Sequence, residues 1–126
     1  MNFGAFYDFC QNLCGEEAST PFDTCTIVFK KKGKIFALAN SNDFRFVNLK
    51  CDPEKSINLR EHYHGIKPGY HMNKKHWNTV FFEGRIRQKK LIELIDHSYE
   101  LVVKKLPSAQ RKEIVALLNA QRNTPE

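Results

Sequence analysis

Three short segments between residues 24 and 50 constrain this chain more than any other feature. "TCTIVFK", Thr24 to Lys30, alternates and is rich in β-branched and aromatic residues, which reads as a strand. "KKGK" is a turn, with Gly33 free to take a positive φ, and "IFALA", Ile35 to Ala39, returns as a second strand. "NSND", Asn40 to Asp43, turns the chain again, and "FRFVNLK", Phe44 to Lys50, is a third. Parallel neighbours need a crossover of a dozen or more residues, and these turns are far too short. The segment must therefore fold as an antiparallel meander.

Helical patterns surround it. Asn2 can cap a helix whose apolar stripe is Phe3, Phe6, Tyr7, Cys10, Leu13 and Cys14, with Gly15 just past its end. Cys10 and Cys14 read as small core residues. Asp52, Pro53 and Glu54 open a second, short helix closed by Gly65. "WNTVFFE" is a further strand ending at Gly84. The longest helix runs from about Arg87, a poor cap, to Leu106, burying Leu91, Leu94, Ile95 and Val102, and Pro107 stops it. A last helix, capped by Ser108, places Ile114, Leu117 and Leu118 on one face, and "RNTPE" is expected to fray. The order predicts a single α+β domain over 1–126: an antiparallel sheet of four to five strands with helices packed on one face.

The formal charge of +6 is concentrated. Between Lys67 and Lys90 stand Lys67, Lys74, Lys75, Arg85, Arg87, Lys89 and Lys90 against Glu83 alone, and the rest of the chain balances. Such a patch attracts polyanions, or it simply keeps a surface solvated. No apolar run is long enough to span a bilayer, and Asp8 interrupts the apolar N-terminal stretch, so no membrane association or signal peptide is expected. The four cysteines then read as reduced thiols of a cytoplasmic protein.

The basic region opens with "KPGYHMNKKHWNTVFF", Lys67 to Phe82. Lys74 and Lys75 can neutralise phosphates, Tyr70, His76 and Trp77 can stack, and Asn73 and Asn78 can hydrogen-bond. Lys31, Lys32 and Lys34 make a second basic projection at the first hairpin tip. Trp77 also opens a strand, one face of which must be buried, so packing competes with stacking there. Asn73 can cap one helical turn or close a loop, presenting Lys74, Lys75 and His76 outward.

Three segments resemble the MmcQ/YjbR family of small bacterial proteins: "NLKCDPE" at 48–54, "PGYHMNKKHWNTV" at 68–80 and "IDHSYELVVKKLP" at 95–107. The resemblance runs from the first helix to about Pro107. It implies a frataxin-like fold and a DNA-binding label, with hairpin wings as contacts. "EGRIRQKK" before the long helix is more basic than the family's usual version.

Other chemistry is poorly supplied. His62 and His64 lie two apart, and His71 and His76 five apart, which is no strong zinc spacing, and no metal or cofactor is expected. Asp96, His97 and Ser98 hold the letters of a triad, but consecutive helical residues point about 100° apart. His97 is expected to bond a backbone group or a neighbour under the sheet. The chain reads as a non-enzymatic binding protein, a monomer or weak dimer. DNA is its first expected partner, through Lys67, Tyr70, His71, Asn73, Lys74, Lys75, His76, Trp77, Asn78, Arg85, Arg87 and the hairpin lysines. The alternative is a small anionic ligand or an acidic protein partner held in a Tyr70–Trp77 cleft.

Overall fold

The computed structural model describes residues 1–70 and 72–122, with 117–122 described by backbone alone. His71, the side chains of Leu117 and Leu118, and all of "RNTPE" except the Arg122 backbone therefore lie outside the described residues. The element order is α1 (Phe3–Cys14), β1 (Thr26–Lys31), β2 (Lys34–Asn40), β3 (Phe46–Lys50), α2 (Pro53–His62), β4 (Ile66–Pro68), β5 (Trp77–Phe81), α3 (Gln88–Lys104) and α4 (Ser108–Arg122), with a 3₁₀ turn at Phe82–Gly84. The strands form one antiparallel sheet in the order β1-β2-β3-β5-β4.

Local chemistry sets the boundaries. The Asp23 carboxylate accepts from the backbone N–H groups of Cys25 and Thr26 at 2.7 and 2.6 Å, holding Thr24 and Cys25 in a turn so that β1 starts later than the residue pattern suggests. The Asn40 side chain accepts from the N–H groups of Asn42 and Asp43, and β3 starts only at Phe46. Asn2 caps α1 by accepting from Ala5 N at 2.8 Å, and Gly15 ends it at φ 65°. Asp52 caps α2 through Lys55 N. That helix stops at His62 rather than Gly65, because Tyr63 turns to extended backbone. Gly65 instead continues the β4–β5 ladder, its carbonyl accepting from Phe81 N at 2.8 Å. Arg87 precedes α3 without a side-chain cap bond. Ser108 is the first residue of α4, not its cap.

One face of the sheet carries the main core. Phe29, Ala37, Val47, Leu49, Val80 and Ile66 meet Phe6, Cys10 and Cys14 of α1, Leu59 of α2, Leu91, Ile95, Tyr99 and Val102 of α3, and Ile114 of α4. Burial of apolar surface on this face is what drives the layers together. Ser98 of α3, fully buried, pins helix to sheet: its hydroxyl donates to Phe36 O at 2.5 Å and accepts from Lys50 N at 2.8 Å. The opposite face has a small core of its own, Val28, Leu38 and Trp77, with Ile35 and Met72 against it. Met72, from the segment between β4 and β5, lies against that core.

Candidate nucleic-acid interface

Outside His71, the connection from Gly69 to Trp77 is held by a set of short-range hydrogen bonds. Gly69 N donates to Trp77 O at 2.8 Å, Trp77 N donates to Asn73 O at 3.0 Å, and the Asn73 side chain accepts from Lys75 N at 2.9 Å. Asn73 thus closes a single turn, and Lys74, Lys75 and His76 are exposed on it as expected. Arg60 of α2 clamps it. Its guanidinium donates to the Asn78 side-chain oxygen at 2.8 Å and to the carbonyls of Lys74 and Trp77.

Several expected contact residues are otherwise engaged. Trp77 is 8% exposed and packs under Met72, and Asn78 is 3% exposed and held by Arg60, so neither offers a free surface for stacking or base contact. A strand with both neighbours present buries both of its faces once a turn lies over the open one. Lys31 donates to Cys14 O at 2.7 Å, closing the end of α1, and Glu16 accepts from Lys32 N, so the hairpin tip is tied to α1 rather than projecting as a free wing. Lys74 folds back onto Gly69 O at 3.2 Å. Lys67 is exposed on β4, Lys32 and Lys34 on the hairpin, and Arg85 and Arg87 beyond the far end of β5 from Lys74 and Lys75. The contiguous charge of the sequence is therefore divided between the two ends of a strand. Tyr70 is exposed, and its backbone N–H donates to the Thr79 hydroxyl at 2.8 Å.

The Tyr70–Trp77 cleft resolves into two hollows. One is a groove of about 360 Å³ walled by Lys50, Cys51 and Asp52, by Asn73, His76 and Trp77, and by Leu101 and Lys105. Each wall comes from a different one of the three sequence segments singled out above. Cys51 N donates to His76 O at 2.9 Å and locks two of the walls together. The Lys50 ammonium lies 5.6 Å from the Trp77 ring centre. Burial, then the neighbouring Lys105 and Lys34 ammoniums, pulls Lys50 below the usual lysine range. Cations held this close are relieved by an anion. Asp52 is the one carboxylate on the wall, and it is occupied in capping α2.

Lys50 and Lys105 were not among the residues expected to bind. Both lie in the outer two of the three family-like segments, a signal that could have pointed to them but from which no binding residue was read. His97 behaves as expected: Asp52 N donates to its Nε2 at 3.2 Å, which requires a neutral imidazole. Burial, followed by Lys55, holds its pKa below the ordinary value. Ser98 points elsewhere, so no relay forms through this pair. Among the described residues, no three His, Cys, Asp or Glu side chains stand together as a metal-binding group, and no helix is long and apolar enough to cross a membrane.

The fold and groove define a class: an α+β domain with a five-stranded antiparallel sheet, helices on one face and a cationic groove at one end of the sheet. Comparison identifies it further. A family model described as YjbR matches residues 11–101. The chain belongs to the YjbR family. It is 43% identical to the uncharacterized protein YbdF of Escherichia coli O157:H7 over 78% of this chain and 81% of that one. It is 31% identical to the uncharacterized protein YjbR of E. coli K12 over 93% of this chain and all of that one. A crystal structure of a Deinococcus radiodurans protein with a DUF419 domain superposes with a TM-score of 0.75 at 39% identity, covering 86% of each chain.

Proposed function

We propose that the protein binds nucleic acid without catalysing a reaction, and that phosphates enter the groove between Lys50, Asn73, His76 and Lys105. The observation that carries this reading is the convergence of Lys50 and Lys105 on one groove, close enough for Lys105 to disfavour the Lys50 charge. Asn73 and His76 add polar groups on the same wall, and exposed Lys75 extends the positive surface outward. The reading includes a cytoplasmic location, which its four free thiols suit.

Fluorescence anisotropy with labelled oligonucleotides across a salt series tests it. Affinity should fall log-linearly with salt, by about 0.9 log units per contact on a duplex and about 0.7 on a single strand. The Lys50→Ala/Lys105→Ala double variant should bind more weakly with a shallower slope, and Lys74→Ala/Lys75→Ala should lose less. Binding of the first variant equal to the parent's at low salt sinks the proposal. The groove's volume also suits a small phosphate-bearing ligand. That second reading predicts binding little changed by salt and lost in His76→Ala.

A further inference from the structure

The second hollow lies on the open face of the sheet and holds about 400 Å³. Leu38 and Phe46 form its floor, with Met72 beside them. Phe22 and Tyr70, 67% and 59% exposed, stand at its rim. Two largely exposed aromatic side chains at the rim of an apolar hollow give it flat surfaces on which a planar ring can stack.

Three polar side chains line it, Thr26, Asn40 and Asn48, and a buried relay fixes the last of them. Tyr70 N donates to the Thr79 hydroxyl, whose own hydrogen is then directed to the Asn48 side-chain oxygen at 2.6 Å. Thr79 is fully buried, so this bond is not shared with solvent. With its oxygen turned to Thr79, the Asn48 amide turns its NH₂ the other way. The hollow therefore offers apolar walls, two rim aromatics and, in Asn48, one donor oriented by the relay, while the Thr26 hydroxyl is bonded to Asp23 and the Asn40 oxygen to Asn42 and Asp43. A planar heterocycle with a ring carbonyl matches all three.

Position supplies the rest. Asn48 and Lys50 lie on the same face of β3, two residues and so ~6.6 Å apart. Asn48 lines this hollow and Lys50 lines the cationic groove. A base and its own phosphate span a comparable distance. We infer that the open sheet face receives an unpaired nucleobase of a single strand, stacked at Phe22 and Tyr70 and hydrogen-bonded by Asn48, while its phosphate lies at Lys50. This rests on the groove being a phosphate site. A base inside a duplex is stacked on both sides and cannot enter.

The test compares a short labelled oligothymidylate with an abasic strand of equal length and with the oligothymidylate paired to its complement. Oligothymidylate should bind about fivefold or more tighter than either, the weak end of what one base–aromatic stack contributes. Phe22→Ala, at an exposed position that leaves the fold intact, should abolish that advantage without changing affinity for the abasic strand. Asn48→Ala should reduce it. Equal binding of oligothymidylate and abasic strand by the parent overturns the base site and leaves the groove reading standing. If neither strand binds, the groove reading fails, and a thymidine titration followed by NMR decides for this hollow: unmoved Leu38 and Met72 methyl signals overturn it, and shifted ones support it. Thymidine monophosphate binding as tightly as the strand overturns the assignment to a strand.

Discussion

At Gly69 a single hydrogen atom decides where the turn before β5 sits. A Cβ built there would stand 2.7 Å from Trp77 Cβ and 3.0 Å from Trp77 O, both fixed parts of β5. Gly69→Ala must push the turn off the strand, and we expect a loss of ~1–3 kcal/mol in a urea melt, as overpacking of a tight contact typically costs. Gly65 and Gly84 approach in the same way, backbone against backbone, where the β4–β5 ladder meets the 3₁₀ turn. The sequence alone shows "PG" and "EG" as punctuation, but it cannot show which of these glycines ends a helix and which one lets two strands meet. Gly65 was expected to do the first and does the second. The sign is different for Asn73, whose short-range role as a turn closer was readable because its partners lie two to four residues away.

Elements packed by local periodicity were legible, and those fixed by distant partners were not. α1 and α3 carry clear apolar stripes, and their buried faces, Phe6, Cys10 and Cys14 in one and Leu91, Leu94, Ile95 and Val102 in the other, are the ones that periodicity selects. α2 has no such stripe and buries only Ser56 and Leu59. Its contribution is a charged side chain, Arg60, reaching groups 14 to 18 residues away. No spacing rule reveals such a contact. β4 is three residues long, too short for a period of two to register. Arg60→Met should therefore act on the turn rather than on the helix. It leaves the Asn78 oxygen buried without its donor, a loss of ~1–3 kcal/mol. Hydrogen exchange should show the Asn73–Trp77 amides opening faster while α2 stays protected. Unchanged exchange at His76 and Trp77 would mean the clamp is not holding the turn.

For the molecule as a whole, the junction of β3, α2 and α3 ties stability to pH. His97 accepts from Asp52 N, and its pKa in the fold lies below the ordinary value of about 6.5. The unfolded chain therefore binds a proton there first, and stability declines as pH falls below about 6.5 until the folded imidazole is also charged. Thermal melts from neutral to mildly acidic pH should show this decline, and His97→Gln, which keeps an acceptor, should flatten it. The same junction holds the walls of the cationic groove, so acid should loosen the groove as well as the fold. Beside that groove sits Trp77, the chain's single tryptophan, with Met72 packed against its cluster and the Lys50 ammonium 5.6 Å from its ring centre. The core has thereby left a chromophore on the wall of the groove and, through Met72, one side chain away from the hollow: its emission is a label-free optical signal that reads occupancy of the groove directly in the unmodified protein.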